Sequence, residues 1–176
     1  PVFRDGELAR RAQEQGTATA LIEGWRRHGD ALPEHLGGSF ALALFSPRTG
    51  DGLLALDRMG IERLCWAGLG DTLAFGTSAQ AVAACGGAPG IDPQAVYDFL
   101  YFHCIPAPRT IFRGVGKLLP GQRLRWRAGE ARVDFYWHAD YTPRHAPFAD
   151  QKHDFRERLD DALKGLDAPG TAAFLS

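Results

Sequence analysis

A chain of 176 residues with 45% apolar and 23% charged side chains can bury one good core or two small ones, so a disordered segment is set aside. Twenty basic against 21 acidic side chains leave a formal net charge of −1. No basic block exceeds the Arg10-Arg11 and Arg26-Arg27 pairs, so neither nucleic acid nor an anionic membrane is expected as a main partner. No apolar run approaches the roughly 18 residues of a spanning helix and no charged-then-apolar leader opens the chain, which makes a cytoplasmic protein the expectation.

In chain order, residues 7–15 read as a short helix ended by Gly16. Thr17 is expected to cap a second helix, with Ala18, Leu21, Ile22 and Trp25 as its apolar face and Gly29 as its end. Residues 38–78 hold four short apolar runs separated by turn residues, the pattern of a β-meander. The runs are 39–46, 53–57, 64–69 and 73–77, and the first is apolar on both faces, which predicts burial on two sides. Ser78 then caps a small-residue helix over 79–85, and the Gly-rich segment 86–90 marks a domain boundary.

Asp92 followed by Pro93 starts a helix that reaches Phe102, with Val96, Phe99, Leu100 and His103 on one face and His103 read as a packed side chain. Residues 123–127 and 132–137 alternate charged with apolar, predicting a two-stranded hairpin with one wet face. Residues 148–166 carry Phe155, Leu159, Ala162, Leu163 and Leu166 at helical spacing, with Asp154–Arg158 and Arg156–Asp160 as charge pairs. After 167–170 the chain enters an apolar strand, 171–176, so the carboxyl end reads as the opening of an α/β layer. Both ends look cut.

Cys65, Cys85 and Cys104 are odd in number and far apart, and are expected to be buried structural thiols. No two histidines have the i, i+4 spacing of a helical metal site, so no metal held by protein side chains is expected. Arg123, Arg125, Arg127 and Arg132, near Trp126, Tyr136 and Trp137, are read as a solvated face over an apolar reverse.

The order of the pieces carries more than any one of them. Leu36-Gly37-Gly38-Ser39-Phe40-Ala41 is followed by Ala55-Leu56-Asp57-Arg58-Met59-Gly60, by Ile61 to Cys65, and by Phe75-Gly76-Thr77-Ser78. Further on stand IPAPRTIF at 105–112 and LLPGQ at 118–122. In this order the chain resembles the asparagine synthetase family, whose amino-terminal glutaminase domain carries L-x-G-x-FA, ARDRxG, a GIxPLY-like strand and FASE, then P-x-T-I-F and L-x-P-G.

The resemblance implies an α+β fold: a partial Ntn-type αββα sandwich followed by the first elements of an α/β ATP-pyrophosphatase domain. Residues 1–86 would be a partial glutamine amidotransferase class II domain, 87–147 a connector with helix and β-hairpin, and 148–176 the start of the ATP-binding synthetase domain. The implied reaction is ATP-dependent amide formation on a carboxylate with glutamine-derived ammonia. Two alternatives stay open: an ATP-dependent ligase or cyclase with a degenerate glutaminase, as in β-lactam synthetases and lasso-peptide cyclases, and a non-catalytic scaffold. ATP and Mg are the implied cofactors, and glutamine or ammonia, ATP and a carboxylate the implied small-molecule partners, with a homodimer among the options. The 176-residue piece is expected to have no activity of its own.

Residue by residue, the resemblance carries over little. Leu175 and Ser176 match the first residues of the family's S-G-G-x-D-S pyrophosphate loop and are the implied ATP-binding residues, in the manner of anion loops at helix amino ends. No catalytic residue is assigned. The family's nucleophile is an amino-terminal Cys with its own α-amine as base, and it and the Arg- and Asn-Gly-bearing glutamine loops are expected upstream of Pro1. The family Asp that pairs with the substrate ammonium falls on Ala18, which cannot accept a hydrogen bond. Leu56 replaces the first Arg of ARDR and Ser78 the Glu of FASE, which fits either a lost ion pair in a scaffold or drift at a surface pair.

Overall fold

The structure, a computed structural model, describes residues 1–87, 90–143 and 145–164. The chain divides into two compact units, Pro1–His138 and Ala139–Ser176. In the first, strand β1 (Val2–Phe3) leads to helix α1 (Gly6–Gln15), capped by Asp5, whose carboxylate accepts the Glu7 and Leu8 amides at 2.8 and 3.2 Å. Helix α2 (Thr17–His28) follows with a single residue between, and Gly16 (φ 89°) makes the turn. Gly16 therefore takes the cap position expected of Thr17, which becomes the first helical residue.

Helix α2 turns Ala20 and Gly24 inward, with Leu21 and Trp25 partly buried, while Ala18 is exposed and Ile22 is 45% exposed. The expected face is thus displaced. Small residues define the contact because α1 and the 3-10 helix Gly29–His35 pack there: a Cβ on Gly24 would lie 2.7 Å from Leu32 Cδ1 and 3.2 Å from Leu8 Cδ1. The 3-10 helix leads into β2 (Leu36–Gly37), which pairs antiparallel with β1.

The four expected strands form as β3 (Ala41–Phe45), β4 (Gly52–Leu56), β5 (Cys65–Leu69) and β6 (Thr72–Gly76). They do not make one meander. After helices α3 (Ala79–Cys85) and α4 (Pro93–Phe102), the strands β7 (Gly116–Lys117), β8 (Gln122–Arg127) and β9 (Glu130–Phe135) complete two separate sheets, ordered β3-β4-β8-β9 and β6-β5-β7. All pairings are antiparallel, with Leu54 opposite Leu124 and Cys65 opposite Lys117. The fold is mixed α and β with antiparallel sheets, as α+β requires. Residues downstream of 86–90 thus share both sheets with residues upstream of it, and the first unit runs on to His138.

Two-sided burial belongs to β4, which is buried along its whole length between β3 and β8. Strand β3 is an edge strand, and Ala41 and Phe45 are exposed on it. One core cluster joins Leu54, Leu56, Leu64, Leu118, Leu124 and Trp126, a second lies under α3 around Val82, and a third gathers Leu32, Leu36, Phe40, Leu42 and Ala55.

The hairpin β8–β9 alternates as predicted, with Gln122, Leu124 and Trp126 buried. Its arginines are paired: Arg123 and Arg125 with Asp134 at 3.0 Å each, Arg127 with Asp30 at 2.7 Å, and Arg132 with Glu130 at 3.7 Å. The caps of α3 and α4 are those expected, Ser78 accepting the Ala81 amide at 3.4 Å and Asp92 that of Gln94 at 3.0 Å. The expected packed face of α4 is instead exposed, Phe99 and Leu100 included, and only Ala95 is buried. His103 is exposed too, in the left-handed conformation (φ 57°) that ends the helix. Of the three thiols only Cys65 is buried; Cys85 and Cys104 are exposed.

In the second unit, helix α5 (Phe148–Lys164) carries Phe155, Leu159 and Leu163 along it, all exposed. Its ion pairs among the described residues are His153–Glu157 at 3.4 Å and Lys164–Asp161 at 2.9 Å rather than the two expected. Leu166 and the strand expected over 171–176 lie outside the described residues. Among the described residues no helix is long and apolar enough to cross a membrane, and no group of three or more His, Cys, Asp or Glu stands ready for a metal.

Candidate functional site

The segment read as the family's ARDRxG forms the joint between the two sheets. Asp57, 1% exposed, follows the last residue of β4, and its carboxylate accepts three backbone amides: Met59 at 3.0 Å and Ile61 at 3.1 Å on one oxygen, Glu62 at 3.0 Å on the other. Its main chain ties in two more segments, donating to Phe40 at 2.9 Å and accepting from Gly121 at 3.0 Å. A carboxylate is needed here because three donors converge and no side chain with fewer acceptor lone pairs could serve them.

Arg58, next in sequence, reaches back to the Glu34 carbonyl at 3.1 Å and lies 5.7 Å from the centre of the Trp137 ring. Its Nε is buried without a hydrogen-bond partner. Burial, and after it the charge of Arg4, hold the guanidinium below its ordinary pKa. Tyr136 closes the same corner by donating to the Leu56 carbonyl at 2.7 Å, and burial pushes its phenol up to about 12.

Leu56, where the family has Arg, is 3% exposed and packs with Leu64 and Leu118. It does not belong to a surface pair, because its side chain is buried in the core cluster with Leu64, Leu118 and Leu124. Ser78, at the family's Glu, caps α3. Beside Leu56 an open cavity of about 530 Å³ is also lined by Phe99, Cys104, Lys117 and Pro120, and Lys117 Nζ there donates to the Ile105 carbonyl at 2.7 Å.

Ala18 stands in the first turn of α2 with its methyl exposed. The neighbouring Thr19 hydroxyl donates back to the Gln15 carbonyl at 3.0 Å, and Glu14, at the adjoining end of α1, approaches Arg10 at 4.0 Å. The other end of the α1–α2 pair is rich in titratable groups that sequence reading missed. His28 and His35 stack with ring centres 3.9 Å apart, His28 Nε2 lies 3.8 Å from the Asp5 carboxylate, and Arg27 bonds Glu7 at 3.0 Å. Amide hydrogen bonds, that of Leu8 foremost, hold the Asp5 carboxyl below its usual range, and the Arg27 hydrogen bond does the same for Glu7. No motif could have announced this cluster, since it assembles from the starts and ends of three short elements. Leu175 and Ser176, the residues implied for ATP, lie outside the described residues.

The profile of the glutamine amidotransferase domain family matches residues 6–137. Proteins of Mycobacterium bovis and Mycobacterium tuberculosis, provisionally named as glutamine-hydrolyzing asparagine synthetases, are 30% identical to the chain over 123 residues, which is 65% of this chain and 18% of theirs. The chain thus spans 18% of the length of the curated relatives it matches. With two antiparallel sheets, the Asp57 joint between them and this match over most of the first unit, the chain belongs to the glutamine amidotransferase domain family.

Proposed function

We propose that the chain is part of a glutamine-dependent amidotransferase that forms an amide on a carboxylate, as an asparagine synthetase does. The observation that carries this reading is the family match over residues 6–137 together with the similarity to glutamine-hydrolyzing asparagine synthetases. On this reading the two sheets of the first unit are the inner layers of a partial Ntn-type αββα sandwich, and α5 opens an α/β ATP-pyrophosphatase domain. ATP with Mg would supply the activation of the carboxylate, and Leu175 and Ser176 would belong to its site. The described residues do their work elsewhere: Asp57 fixes the loop that leaves β4, Arg58 ties it to the 3-10 helix, and Tyr136 ties the end of β9 to Leu56.

The test uses the intact protein that contains this chain, supplied with ATP, a panel of carboxylates and glutamine labelled with ¹⁵N at the amide. Carboxylate-dependent release of AMP and pyrophosphate, with the label recovered in a product amide, is the expected result. No carboxylate-dependent nucleotide turnover with any nitrogen donor overturns the reading and leaves a scaffold.

A second reading is favoured by one observation, the bare methyl of Ala18 at the start of α2. A charged hydrogen bond to the substrate ammonium is worth roughly 1.5–3 kcal/mol, so its loss weakens glutamine about ten- to a hundredfold. The protein would then be a ligase with a degenerate glutaminase, fed by ammonia or another amine. Ala18→Asp is expected to lower the KM for glutamine by about ten- to a hundredfold while leaving the KM for ammonia in place. An unchanged glutamine KM removes this reading.

A further inference from the structure

Between α2 and the hairpin loop that follows β3 runs an open groove of about 580 Å³. Ile22, Trp25 and Arg26 line it from the helix, and Phe45, Arg48 and Thr49 from the strand end and loop. Its walls are apolar and wet: Ile22 is 45% and Phe45 40% exposed, and Trp25 is half-buried. The loop that presents Arg48 is held by its own hydrogen bonds, Gly50 to the Ser46 carbonyl at 2.9 Å, Ser46 to the Asp51 carbonyl at 2.9 Å and Thr49 to the Ser46 hydroxyl at 3.4 Å.

The groove carries charge on both walls. Arg27, Arg123, Arg125 and Arg127 each bond a carboxylate, but Arg26 and Arg48 are exposed and make no ion pair among the described residues. Asp51, the carboxylate in the lining, lies 3.6 Å from Arg127 and is thereby partly neutralised. Two uncompensated guanidinium groups, one from each wall, therefore border an apolar surface that includes an indole. This combination is complementary to a molecule with an apolar body and one negative group.

We infer that this groove binds a small amphipathic anion, its aromatic or branched aliphatic body on Ile22, Trp25 and Phe45 and its carboxylate or sulfonate between Arg26 and Arg48. The assignment is independent of the amidotransferase reading, since it rests on no residue of the joint or of the α2 start.

The experiment titrates the chain with 1-anilinonaphthalene-8-sulfonate and, in parallel, with its uncharged relative N-phenyl-1-naphthylamine, following probe fluorescence. Saturable sulfonate binding is expected, weakened about three- to tenfold by Arg26→Gln and by Arg48→Gln and further by the double substitution. The uncharged probe should change by less than about twofold, which separates the ionic contact from general apolar adsorption. Thermal unfolding followed by circular dichroism verifies that the variants fold, as is expected for exposed, unpaired side chains. Sulfonate binding that survives both substitutions, or an equal loss for both probes, overturns the inference. So does a sulfonate affinity that falls with rising chain concentration as dimers form in sedimentation, which would assign the groove to a second copy of the chain.

Discussion

At the scale of single residues, Asp57 is the clearest case of a side chain whose chemistry is dictated by position. Replacing it with Asn keeps one acceptor oxygen but turns an amide donor toward one of the three converging N–H groups, leaving that donor buried and unpaired. Asp57→Asn is expected to cost about 1–3 kcal/mol, read from the midpoint of urea unfolding, with hydrogen exchange accelerated first at Met59, Ile61 and Glu62. The residue was visible in the sequence as part of a motif, but its role was not, because three donors meet on it from a loop whose path no periodicity describes. The same limit applies to Leu56. A pattern shows that an arginine is missing; only the packing of Leu64 and Leu118 against it shows that the position is core.

Among the elements, helix stops and the caps Ser78 and Asp92 were legible, the Thr17 cap and the packing faces were not. Gly16, Gly29, Ser78 and the Asp92-Pro93 pair act at helix ends by local backbone chemistry, so a sequence window contains the whole cause. The face of α2 depends on what it meets. Apolar periodicity selects bulk, whereas the contact with α1 and the 3-10 helix is made at Ala20 and Gly24, where absence of bulk lets the backbones approach. Gly24→Ala sets two effects against each other: better helix propensity, worth about 1 kcal/mol, and a methyl 2.7 Å from the fully buried Leu32, where overpacking costs about 1–3 kcal/mol. A net destabilisation of about 1 kcal/mol is expected, seen as a lower Tm. Measured in a Leu32→Ala background, where the clashing side chain is gone, Gly24→Ala should instead be neutral or stabilising. The 3-10 helix and the β1–β2 pair went unread because two to seven residues are too few to establish a period.

For the molecule as a whole, the pH range of stability follows from groups at its two ends of the titration scale. Asp5 and Glu7 hold their carboxyls below the usual range, so their stabilisation is present above about pH 4, where the unfolded chain also ionises them, and is lost as pH falls through the lower folded values. Cys65 and Tyr136 are shifted the other way by burial, so the folded chain keeps protons that the unfolded chain releases from about pH 9 upward. Urea midpoints are expected to be flat between about pH 5 and 9 and to fall on both sides, the alkaline loss continuing toward the Tyr136 value of about 12. Tyr136→Phe should flatten part of the alkaline limb, and a limb unchanged by it would assign the loss to other groups. The longer strands, β3 to β6, β8 and β9, were legible at this scale, since alternation and turn residues mark each run. Their partition between sheets was not, because it is decided by β7 and β8, which come from far along the chain.

That partition bears on how the polypeptide is made. Leu54 finds its partner 70 positions later, at Leu124, and Cys65 finds Lys117 52 positions later. A chain emerging from a ribosome at about 5–20 residues per second exposes β4 and β5 for several seconds with one side of each unpaired. The hairpins β3–β4 and β5–β6 can close at once, but neither sheet is completed until the loops carrying α3 and α4 have been drawn in, a costly closure that slows folding. Between those moments the nascent chain displays apolar strand edges, and the Asp57 joint, which needs the Gly121 amide, is among the last contacts to form.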